Sequence, residues 1–366
     1  MIIGILTSSR ADFGIYRPLL ESWLKDSDIK FEIIAFGQHL LDAFGNTVNE
    51  IENEGFVVKH RVISNYVNDT PHGIATNYAN TLMAFVSFWK YNKFDWVIVL
   101  GDRYEMSAAV QAGIPYQVRF AHLHAGEKTL GAIDEIYRHQ ITLASEMHFV
   151  SLKEYAKRVQ TITGKEKSSF IVGAIGLENL KKIKLLDSKE FESKWNIDLT
   201  IPTIFFIIHP ETKNYSENSI NIKVLEEVCV VLATDFQIIV SLPNIDTMGS
   251  LYREMWHKVN QFTQKIKLIE HFGSQSFFSC IKHSKLIIGN SSSGIIEAAS
   301  FGKYVLNLGN RQKGRISGEN VIDLPFNKND ILDCVKNYAN KEFIGKNLYE
   351  KKGGVKLIKY HLKNFL

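Results

Sequence analysis

Short apolar runs alternate along the chain with longer segments in which apolar residues recur on one side. The first run, residues 1–6, is continuous, as expected for a parallel strand that is covered on both faces of its sheet. After a polar loop, Ile15, Leu19, Leu20 and Leu24 recur at helical spacing. The same pattern predicts further strands over 31–36, 96–100, 118–123, 147–150, 203–208, 237–242, 267–269, 286–288 and 304–308, and helices over 40–54, 104–112, 135–146, 219–233 and 277–283.

This alternation of strand, loop and helix is typical of doubly wound α/β sheets. It stops in residues 181–194, a charged segment without a strand pattern, and then starts again. Because 366 residues exceed one typical core, we expect two α/β domains, one over 1–180 and one over 181–366. The C-terminal helix is a candidate to pack back on the first domain.

Polar or aromatic residues follow the predicted strands in both halves. In the first half they are residues 8–12, 101–103 and 124–127. In the second half they are His209, Asn244, Phe272, residues 291–293 and Arg311. Ligands of doubly wound sheets bind outside the carboxyl ends of the strands. Two such sheets with facing rims would therefore form a cleft that holds a ligand.

Residues 289–302 (GNSSSGIIEAASFG) predict a strand, a tight turn and a helix whose buried side carries Ile295, Ile296, Ala298 and Ala299. The N-terminus of such a helix offers unpaired N–H groups and the positive end of the helix dipole, which suit a diphosphate. An ordinary serine-rich helix cap is the competing interpretation.

Composition and charge exclude several classes of function. The net charge is +4 without a basic stripe, so we expect no nucleic-acid partner. The three cysteines lack C-x-x-C spacing and indicate buried thiols in a reducing cytoplasm. Neither a leader pattern nor an apolar run of about 18 residues is present, so we expect no membrane span. No spacing of histidines suggests a metal site.

A series of short motifs occurs in consistent order over most of the chain. They are residues 9–13 (SRADF), 101–103 (GDR), 122–127 (HLHAGE), 131–135 (GAIDE) with Arg138 and His139, 209–210 (HP), 243–246 (PNID), 289–292 (GNSS), 308–315 (LGNRQKGR) and 318–321 (GENV). Each motif alone is a weak signal. In combination they resemble the hydrolysing UDP-N-acetylglucosamine 2-epimerases.

The resemblance implies two Rossmann-like domains of the glycosyltransferase-B architecture, with UDP in the cleft and held mostly by the C-terminal domain. It implies a reaction without metal or cofactor. The C2 proton and UDP are lost to give a glycal, and water then adds with the opposite configuration at C2. The product would be N-acetylmannosamine or a close analogue, for the synthesis of a sialic-acid-like nonulosonic acid. A homodimer or homotetramer is also implied.

Removal of a weakly acidic C2 proton requires a positioned base, and hydration of the glycal requires a proton donor. Asp102, Glu127 and Asp134 of the N-terminal domain are the candidates, since burial in a cleft can raise a carboxyl pKa. The competing roles are a helix N-cap for Asp102 and solvated loop positions for Glu127 and Asp134.

His124 departs from the pattern of some relatives, which carry a glutamate at this position. An imidazole titrates nearer neutrality than a carboxylate. Either His124 takes the acid/base function, or Glu127 supplies the carboxylate and His124 only hydrogen-bonds a neighbour.

The substrate-binding candidates follow from the resemblance and from the charge that gathers on the leaving diphosphate. Arg10 and Arg103 could equally form surface ion pairs, although the planar guanidinium suits phosphate. Phe272 could pack on the uracil base or serve as an ordinary core aromatic. Glu297 matches a ribose-binding glutamate. The full set is Arg10, Asp12, Arg103, His209, Asn244, Phe272, Ser291, Ser292, Glu297 and Arg311.

More than one function is compatible with this sequence. The sugar is UDP-N-acetylglucosamine by default, but a UDP-2,4-diacetamido-2,4,6-trideoxyglucose of the legionaminic acid route would use the same chemistry. The chain could also be a glycosyltransferase of the same fold, a non-hydrolysing epimerase or a UDP-sugar sensor without turnover. Residues 131–135 with the upstream Glu127 favour an epimerase over a transferase, and the joint presence of Asp102, Glu127 and Asp134 argues against a sensor. The loop over 10–12 and the run over 311–315 look more like the hydrolysing group than the non-hydrolysing one.

Overall fold

The computed structural model describes residues 1–42, 45–180, 182–243 and 247–365. The chain forms two compact units. The first comprises Met1–Glu127, Asp134–Lys181 and Tyr349–Leu366, and the second comprises Lys128–Ile133 and Lys182–Leu348. A short stretch of six residues in the first half of the chain therefore belongs to the second unit.

The first unit contains a seven-stranded sheet in which neighbouring strands are all parallel. Its strands are β1 (Ile2–Thr7), β2 (Lys30–Phe36), β3 (His60–Val62), β4 (Trp96–Leu100), β5 (Phe120–Leu123), β6 (Met147–Val150) and β7 (Ser169–Ile171). Their spatial order is β3-β2-β1-β4-β5-β6-β7. The order reverses direction between β1 and β4, and doubly wound sheets bind ligands at such a switch point.

Helices connect these strands. They are α1 (Arg10–Trp23), α2 (Val48–Asn53), α3 (Pro71–Tyr91), α4 (Tyr104–Gly113), α5 (Asp134–Ala144) and α6 (Lys153–Thr163), with 3₁₀ turns at Gly37–Leu40, Ile114–Tyr116 and Ile175–Asn179. The sheet is apolar because it is covered on both faces, and β4 is buried at every position.

The second unit contains a six-stranded parallel sheet. Its strands are β8 (Thr203–Ile207), β9 (Gln237–Ser241), β10 (Ile266–Ile269), β11 (Leu286–Gly289), β12 (Val305–Leu308) and β13 (Val321–Leu324), in the order β10-β9-β8-β11-β12-β13. Its helices are α7 (Ser188–Trp195), α8 (Tyr215–Leu232), α9 (Gly249–Asn260), α10 (Gly273–His283), α11 (Ser292–Ile296) and α12 (Lys328–Tyr338), with a 3₁₀ turn at Ala298–Phe301.

The last helix, α13 (Gly354–Asn364), returns to the first unit. It buries Val355, Ile358 and Leu362 in the same apolar core as α1 and β1. The indole N–H of Trp96, at the start of β4, donates to the carbonyl of Leu362 at 3.1 Å. This buried hydrogen bond and the apolar face hold the C-terminal segment on the first sheet.

The predicted fold class, two doubly wound α/β domains, is confirmed, but local predictions differ in places. The single helix predicted over 40–54 is wrong, because the described part of this segment holds a 3₁₀ turn and only the short α2. Gly45 and Asn46 adopt positive φ there, which interrupts a helix. The hydrophobic pattern does not predict β3 or α3, although the N-cap Thr70 followed by Pro71 is a recognisable start signal for α3.

Within the described residues, no helix is both long and apolar enough to cross a lipid bilayer.

Gly289, the last residue of β11, has a conformation and surroundings that favour glycine. Its φ is +153°, and a Cβ atom there would lie 1.9 Å from the backbone oxygen of Ile207 in β8. We expect Gly289→Ala to lower the free energy of unfolding by about 3 kcal/mol or more, because a backbone neighbour in a ladder cannot move aside. Denaturant-induced unfolding measures this change.

Gly273→Ala is the matched control in the same unit. Gly273 also has positive φ, +67°, but no atom of the described residues lies within 4 Å of its Cβ position. Gly273→Ala should lower the free energy of unfolding only by the backbone strain, about 1–2 kcal/mol. Equal losses in the two variants would contradict the role assigned to the close approach at Gly289.

Candidate active site

Polar side chains that follow β4 and β5 form one connected network in the first unit. Arg138, from α5, forms an ion pair with the carboxylate of Asp102, which follows β4. Its guanidinium also donates to the backbone oxygen of His124, after β5, at 3.1 Å. Arg138 is 1% exposed, and a buried cation requires such partners. Arg138 therefore fixes Asp102 and His124 with respect to each other.

His124 and Glu127 form a buried imidazole–carboxylate pair. Nδ1 of His124 lies 2.7 Å from Oε1 of Glu127, and the hydroxyl of Ser151 donates to the same oxygen at 2.9 Å. Glu127 is 1% exposed and His124 8%. His124 has φ +59°, in the left-handed region that non-glycine residues seldom adopt, and such residues cluster at functional sites.

The loop that carries this pair is held from α6. Arg158 donates to the backbone oxygens of Gly126, at 3.1 Å, and Glu127, at 2.5 Å, and forms an ion pair with Glu135 of α5. Gly126 has φ +74°, and a Cβ atom there would lie 2.5 Å from the backbone oxygen of Tyr155. The position of Glu127 is thus determined by α5 and α6 together.

His122 supports the turn before Asp102. Its Nε2 lies 2.8 Å from the backbone oxygen of Gly101, and its Nδ1 lies 3.2 Å from the hydroxyl oxygen of Thr142. Burial holds the pKa of His122 well below its ordinary value, so this imidazole is neutral. We therefore assign His122 to structure and not to proton transfer.

Asp134 is the first residue of α5 and is half-buried. It stands directly after the six residues that belong to the second unit. A carboxylate in the first turn of a helix is stabilised by the helix dipole. Arg138, which binds Asp102, lies one turn further along the same helix.

The loop after β1 is closed by Asp12. One carboxylate oxygen accepts from the backbone N–H groups of Ser8 and Ser9, at 2.8 and 3.1 Å, and from the Ser8 hydroxyl at 2.7 Å. Burial raises the pKa of the Asp12 carboxyl, although the positive charge of Arg103 opposes this. These bonds assign Asp12 to the N-terminus of α1, where Arg10 is the first helical residue and half-buried.

Arg103 forms a two-pronged ion pair with Glu105, with N–O distances of 3.2 and 3.0 Å. Glu105 is 2% exposed, so the pair differs from the surface ion pair that the sequence allows. Burial raises the pKa of the Glu105 carboxyl, and Arg103 opposes that rise. The half-buried guanidinium is held beside the switch point of the first sheet.

In the second unit, the turns after β8 and β11 are joined by Asn290. Its side-chain amide donates to the backbone oxygen of His209 at 2.9 Å and accepts from the His209 N–H at 2.8 Å. Asn290 is fully buried. The two turns from adjacent strands are therefore locked together, with His209 in a fixed position.

The turn after β12 is attached to the same point. Arg311 and Gln312 donate to the backbone oxygen of Asn290 at 3.0 and 2.9 Å. The carboxylate of Glu211 accepts from the backbone N–H of Asn310 at 2.5 Å, and burial raises its pKa. Three strand ends of the second sheet thus present one polar surface, which includes Arg311.

The serine-rich stretch opens a shorter helix than the sequence suggests. Ser291 caps α11, accepting from the backbone N–H of Ser293 at 3.4 Å. After Ile296 the chain continues as the 3₁₀ turn Ala298–Phe301. The four apolar residues predicted to face inward are all buried, namely Ile295, Ile296, Ala298 and Ala299. Ser292 and Glu297, at the two ends of α11, are half-buried.

Phe272 lies in the core of the second unit. It is 4% exposed, and its ring contacts those of Phe191, Trp195 and Phe205. Because other aromatic residues already enclose the ring, these contacts favour a core role for Phe272 over packing on the uracil base. Asn244 lies outside the described residues.

Sequence patterns do not reveal several residues that hold the site together. Arg138 is recognisable only as part of a motif, and its burial between Asp102 and His124 depends on the packing of α5. Ser151 and Glu211 carry no local signal, because their partners are distant in sequence. Thr212 is the fourth such residue and accepts from the backbone N–H of Ile133 at 2.9 Å.

Comparisons with known proteins identify the family. The family model described as UDP-N-acetylglucosamine 2-epimerase matches residues 22–357. The chain belongs to this family. It is 34% identical over 336 residues to the UDP-N,N'-diacetylbacillosamine 2-epimerase (hydrolyzing) of Legionella pneumophila, covering 92% of this chain and 88% of that protein.

Two further comparisons agree with this family. The chain is 35% identical over 346 residues to the polysialic acid biosynthesis protein P7 of Escherichia coli, covering 93% of this chain and 86% of that protein. The crystal structure of Neisseria meningitidis UDP-GlcNAc 2-epimerase bound to UDP-GlcNAc superimposes with a TM-score of 0.81, at 18% identity and over 100% of both chains. This likeness shows the fold, and the relatives with higher identity show that this epimerase is a hydrolysing UDP-sugar 2-epimerase.

Proposed function

We propose that this epimerase converts UDP-N-acetylglucosamine and water into N-acetylmannosamine and UDP, for the synthesis of a sialic-acid-like sugar. The observation that carries the proposal is the connected network of Asp102, Arg138, His124 and Glu127, with Asp134 on the same helix as Arg138. The family description and the name of the Escherichia coli relative support this sugar.

The same chemistry on a UDP-2,4-diacetamido-2,4,6-trideoxyglucose is the second candidate. It is favoured by the names of the Legionella pneumophila relative and of the Campylobacter jejuni relative, a GDP/UDP-N,N'-diacetylbacillosamine 2-epimerase (hydrolyzing) that is 34% identical over 342 residues. The two sugars differ at C4 and C6, away from the reacting C1 and C2.

The reaction has two steps that require different groups. In the first, a base takes the C2 proton, the C1–O bond breaks with its electrons going to UDP, and a C1–C2 double bond forms. In the second, water adds its oxygen to C1 and gives up one proton to the solvent, while an acid gives a proton to the opposite face of C2. A base and an acid on opposite faces of the sugar are therefore needed.

We assign the base to Asp134 and the acid to His124. The buried carboxylate of Glu127 lies against Nδ1 of His124 and orients the ring, as a carboxylate does for the histidine of a hydrolase triad. A ring held in this way presents Nε2 for proton donation. Asp134 is half-buried at the start of α5, one turn before Arg138, and its carboxylate can accept a proton there.

The second unit binds the nucleotide in this proposal. His209, after β8, and Arg311, after β12, are both hydrogen-bonded to Asn290, after the intervening β11, and a cation there stabilises the charge that develops on the departing diphosphate. Ser291 and Ser292 contribute hydroxyl and N–H donors from the turn after β11.

Glu297 accepts the ribose hydroxyls of UDP in this arrangement. We expect Glu297→Ala to weaken UDP binding about tenfold or more, because a hydrogen bond to a charged group contributes roughly 1.5–3 kcal/mol. Calorimetry with UDP and with 2',3'-dideoxy-UDP measures the contact directly. The dideoxy compound lacks both hydroxyls, so its affinity should be the same for the variant and the wild type.

The matched control is Glu254→Ala, an exposed glutamate of α9 in the same unit. It should bind UDP as the wild type does. An unchanged UDP affinity in Glu297→Ala would remove this residue from the ribose site.

The proposed function is tested by NMR of the protein in deuterated water with each of the two nucleotide sugars. We expect release of UDP and of a free manno sugar with deuterium at C2, and faster turnover of UDP-N-acetylglucosamine. Faster turnover of the 2,4-diacetamido sugar would replace the proposed substrate by the second candidate. Consumption of neither sugar would contradict the proposal.

A further inference from the structure

Residues 128–133 form a crossing loop. The chain leaves the first unit after Glu127, packs these six residues within the second unit, and re-enters the first unit at Asp134. Both flanking residues belong to the candidate acid/base machinery. Anchoring of the crossing loop therefore constrains the two residues that flank it, Glu127 and Asp134.

Hydrogen bonds anchor the crossing loop within the second unit. They run from Leu130 N to Lys313 O (3.0 Å), from Lys213 N to Gly131 O (3.4 Å) and from Ile133 N to the Thr212 hydroxyl oxygen (2.9 Å). Ile133 immediately precedes α5, and N–H groups at a helix start need a partner from outside the helix. Thr212, which is 3% exposed, supplies that partner.

Steric contact also fixes the crossing loop. A Cβ atom on Gly131 would lie 2.2 Å from the backbone oxygen of Asn310 and 2.8 Å from the Cα of Arg311. Gly314 has φ +83°, and a Cβ atom there would lie 2.9 Å from a methyl group of Leu130. The backbones are thus in direct contact, which leaves little room for the loop to shift.

The anchors coincide with the nucleotide-binding part of the second unit. Thr212 follows Glu211, whose carboxylate holds the N–H of Asn310, and Gly131 touches the backbone of Arg311. A displacement of the turn at Arg311 would be passed to the crossing loop through these contacts, and from there to Asp134 by the covalent chain.

We propose that the crossing loop couples the diphosphate-binding turn to the catalytic base, and that Thr212 and Gly131 are positioning residues for Asp134. The inference rests on the proposed function, since it takes Asp134 as the group that removes the C2 proton.

Thr212→Val tests the coupling, because valine keeps the shape of threonine and removes the hydroxyl acceptor. We expect kcat to fall about tenfold or more, as small displacements of reacting groups are costly, while the Kd of UDP by calorimetry stays within about twofold. Thr212→Ser, which keeps the hydroxyl, should restore most of kcat. No glycal should accumulate, because the step that slows is the first.

Two further variants complete the test. Gly131→Ala should lower kcat by about 100-fold, since the added methyl group displaces the loop by an appreciable fraction of an ångström. Thr203→Val is the control for a lost buried hydroxyl. Thr203 bonds Ile201 and Gln237 at the opposite end of β8, so this variant should lose stability but keep kcat.

Three results would overturn the coupling. They are an unchanged kcat in Thr212→Val, a loss of UDP affinity equal to its loss of kcat, and an equal loss of kcat in Thr203→Val. Failure of the proposed function is distinguishable, because the wild-type protein would then release no manno sugar in the NMR experiment.

Discussion

Replacing His124 by asparagine is expected to stop the reaction after its first step. UDP should still be released, the glycal should accumulate, and formation of the manno sugar should fall by about 10²- to 10⁴-fold, the range that general acid catalysis contributes. Asparagine is chosen because it tolerates the positive φ of this position and cannot donate a proton near neutrality. Proton NMR distinguishes the vinyl hydrogen of the glycal from the product sugar.

The companion variants separate the imidazole from its carboxylate partner. Glu127→Gln should also accumulate glycal, because the imidazole loses the carboxylate that lies against its Nδ1 and orients it. His72→Asn, at an exposed histidine of α3, should leave both steps unchanged. If His124→Asn retained product formation while Glu127→Gln lost it, the carboxylate would be the acid and His124 only its hydrogen-bond partner.

The fold was largely predictable because its strands are buried on both faces. The strands β4, a continuous apolar run, and β6, which is apolar except for His148, have the same bounds in the sequence pattern and in the structure. The missed elements include one core helix, α3, whose buried residues are spread over 21 residues, and segments with little apolar pattern. Short edge strand β3 has only three residues and no periodicity to detect. The loop before α2 is governed by local turn residues and not by hydrophobic pattern.

The sequence indicates which chemical groups belong to the candidate site, but not which of them are hydrogen-bonded to each other. Strand ends and motifs point to Asp102, His124, Glu127 and Asp134, because loops at the carboxyl edge of a parallel sheet carry function. The bond between His124 and Glu127 depends on a left-handed backbone that no pattern reveals. The role of Arg138 depends on how α5 packs, and a buried cation in a helix is not visible in its sequence.

The crossing loop shows that the membership of a segment in a domain, too, is not visible in the sequence. A domain boundary inferred from composition divides the chain into continuous segments. A compact unit, in contrast, can combine segments that are distant in sequence. The six residues between Glu127 and Asp134 carry a motif that looks like one functional segment, yet their anchors are Thr212 and the turn at Arg311. Contacts this distant in sequence can be found only in three dimensions.

Asp134→Asn is expected to abolish UDP release while leaving UDP binding nearly intact. The amide has the size of the carboxylate but cannot accept the C2 proton, so the loss should be at least about 10²- to 10⁴-fold. Because the glycal lies beyond the proton-abstraction step, the variant supplied with the glycal and UDP should still hydrate it. His124→Asn should fail in that assay, and the two variants would then divide the reaction between its steps.

Asp330→Asn provides the control for the loss of a carboxylate in the first turn of a helix. Asp330 lies in the first turn of α12, so both variants lose a favourable interaction with a helix dipole, roughly 0.3–1 kcal/mol. Asp330→Asn should turn over at the wild-type rate. If Asp134→Asn lost UDP binding as well as turnover, Asp134 would have a structural role, and the base would have to be sought at Asp102. That carboxylate is already engaged in an ion pair with the buried Arg138, and this geometry is the physical reason for placing the base at Asp134.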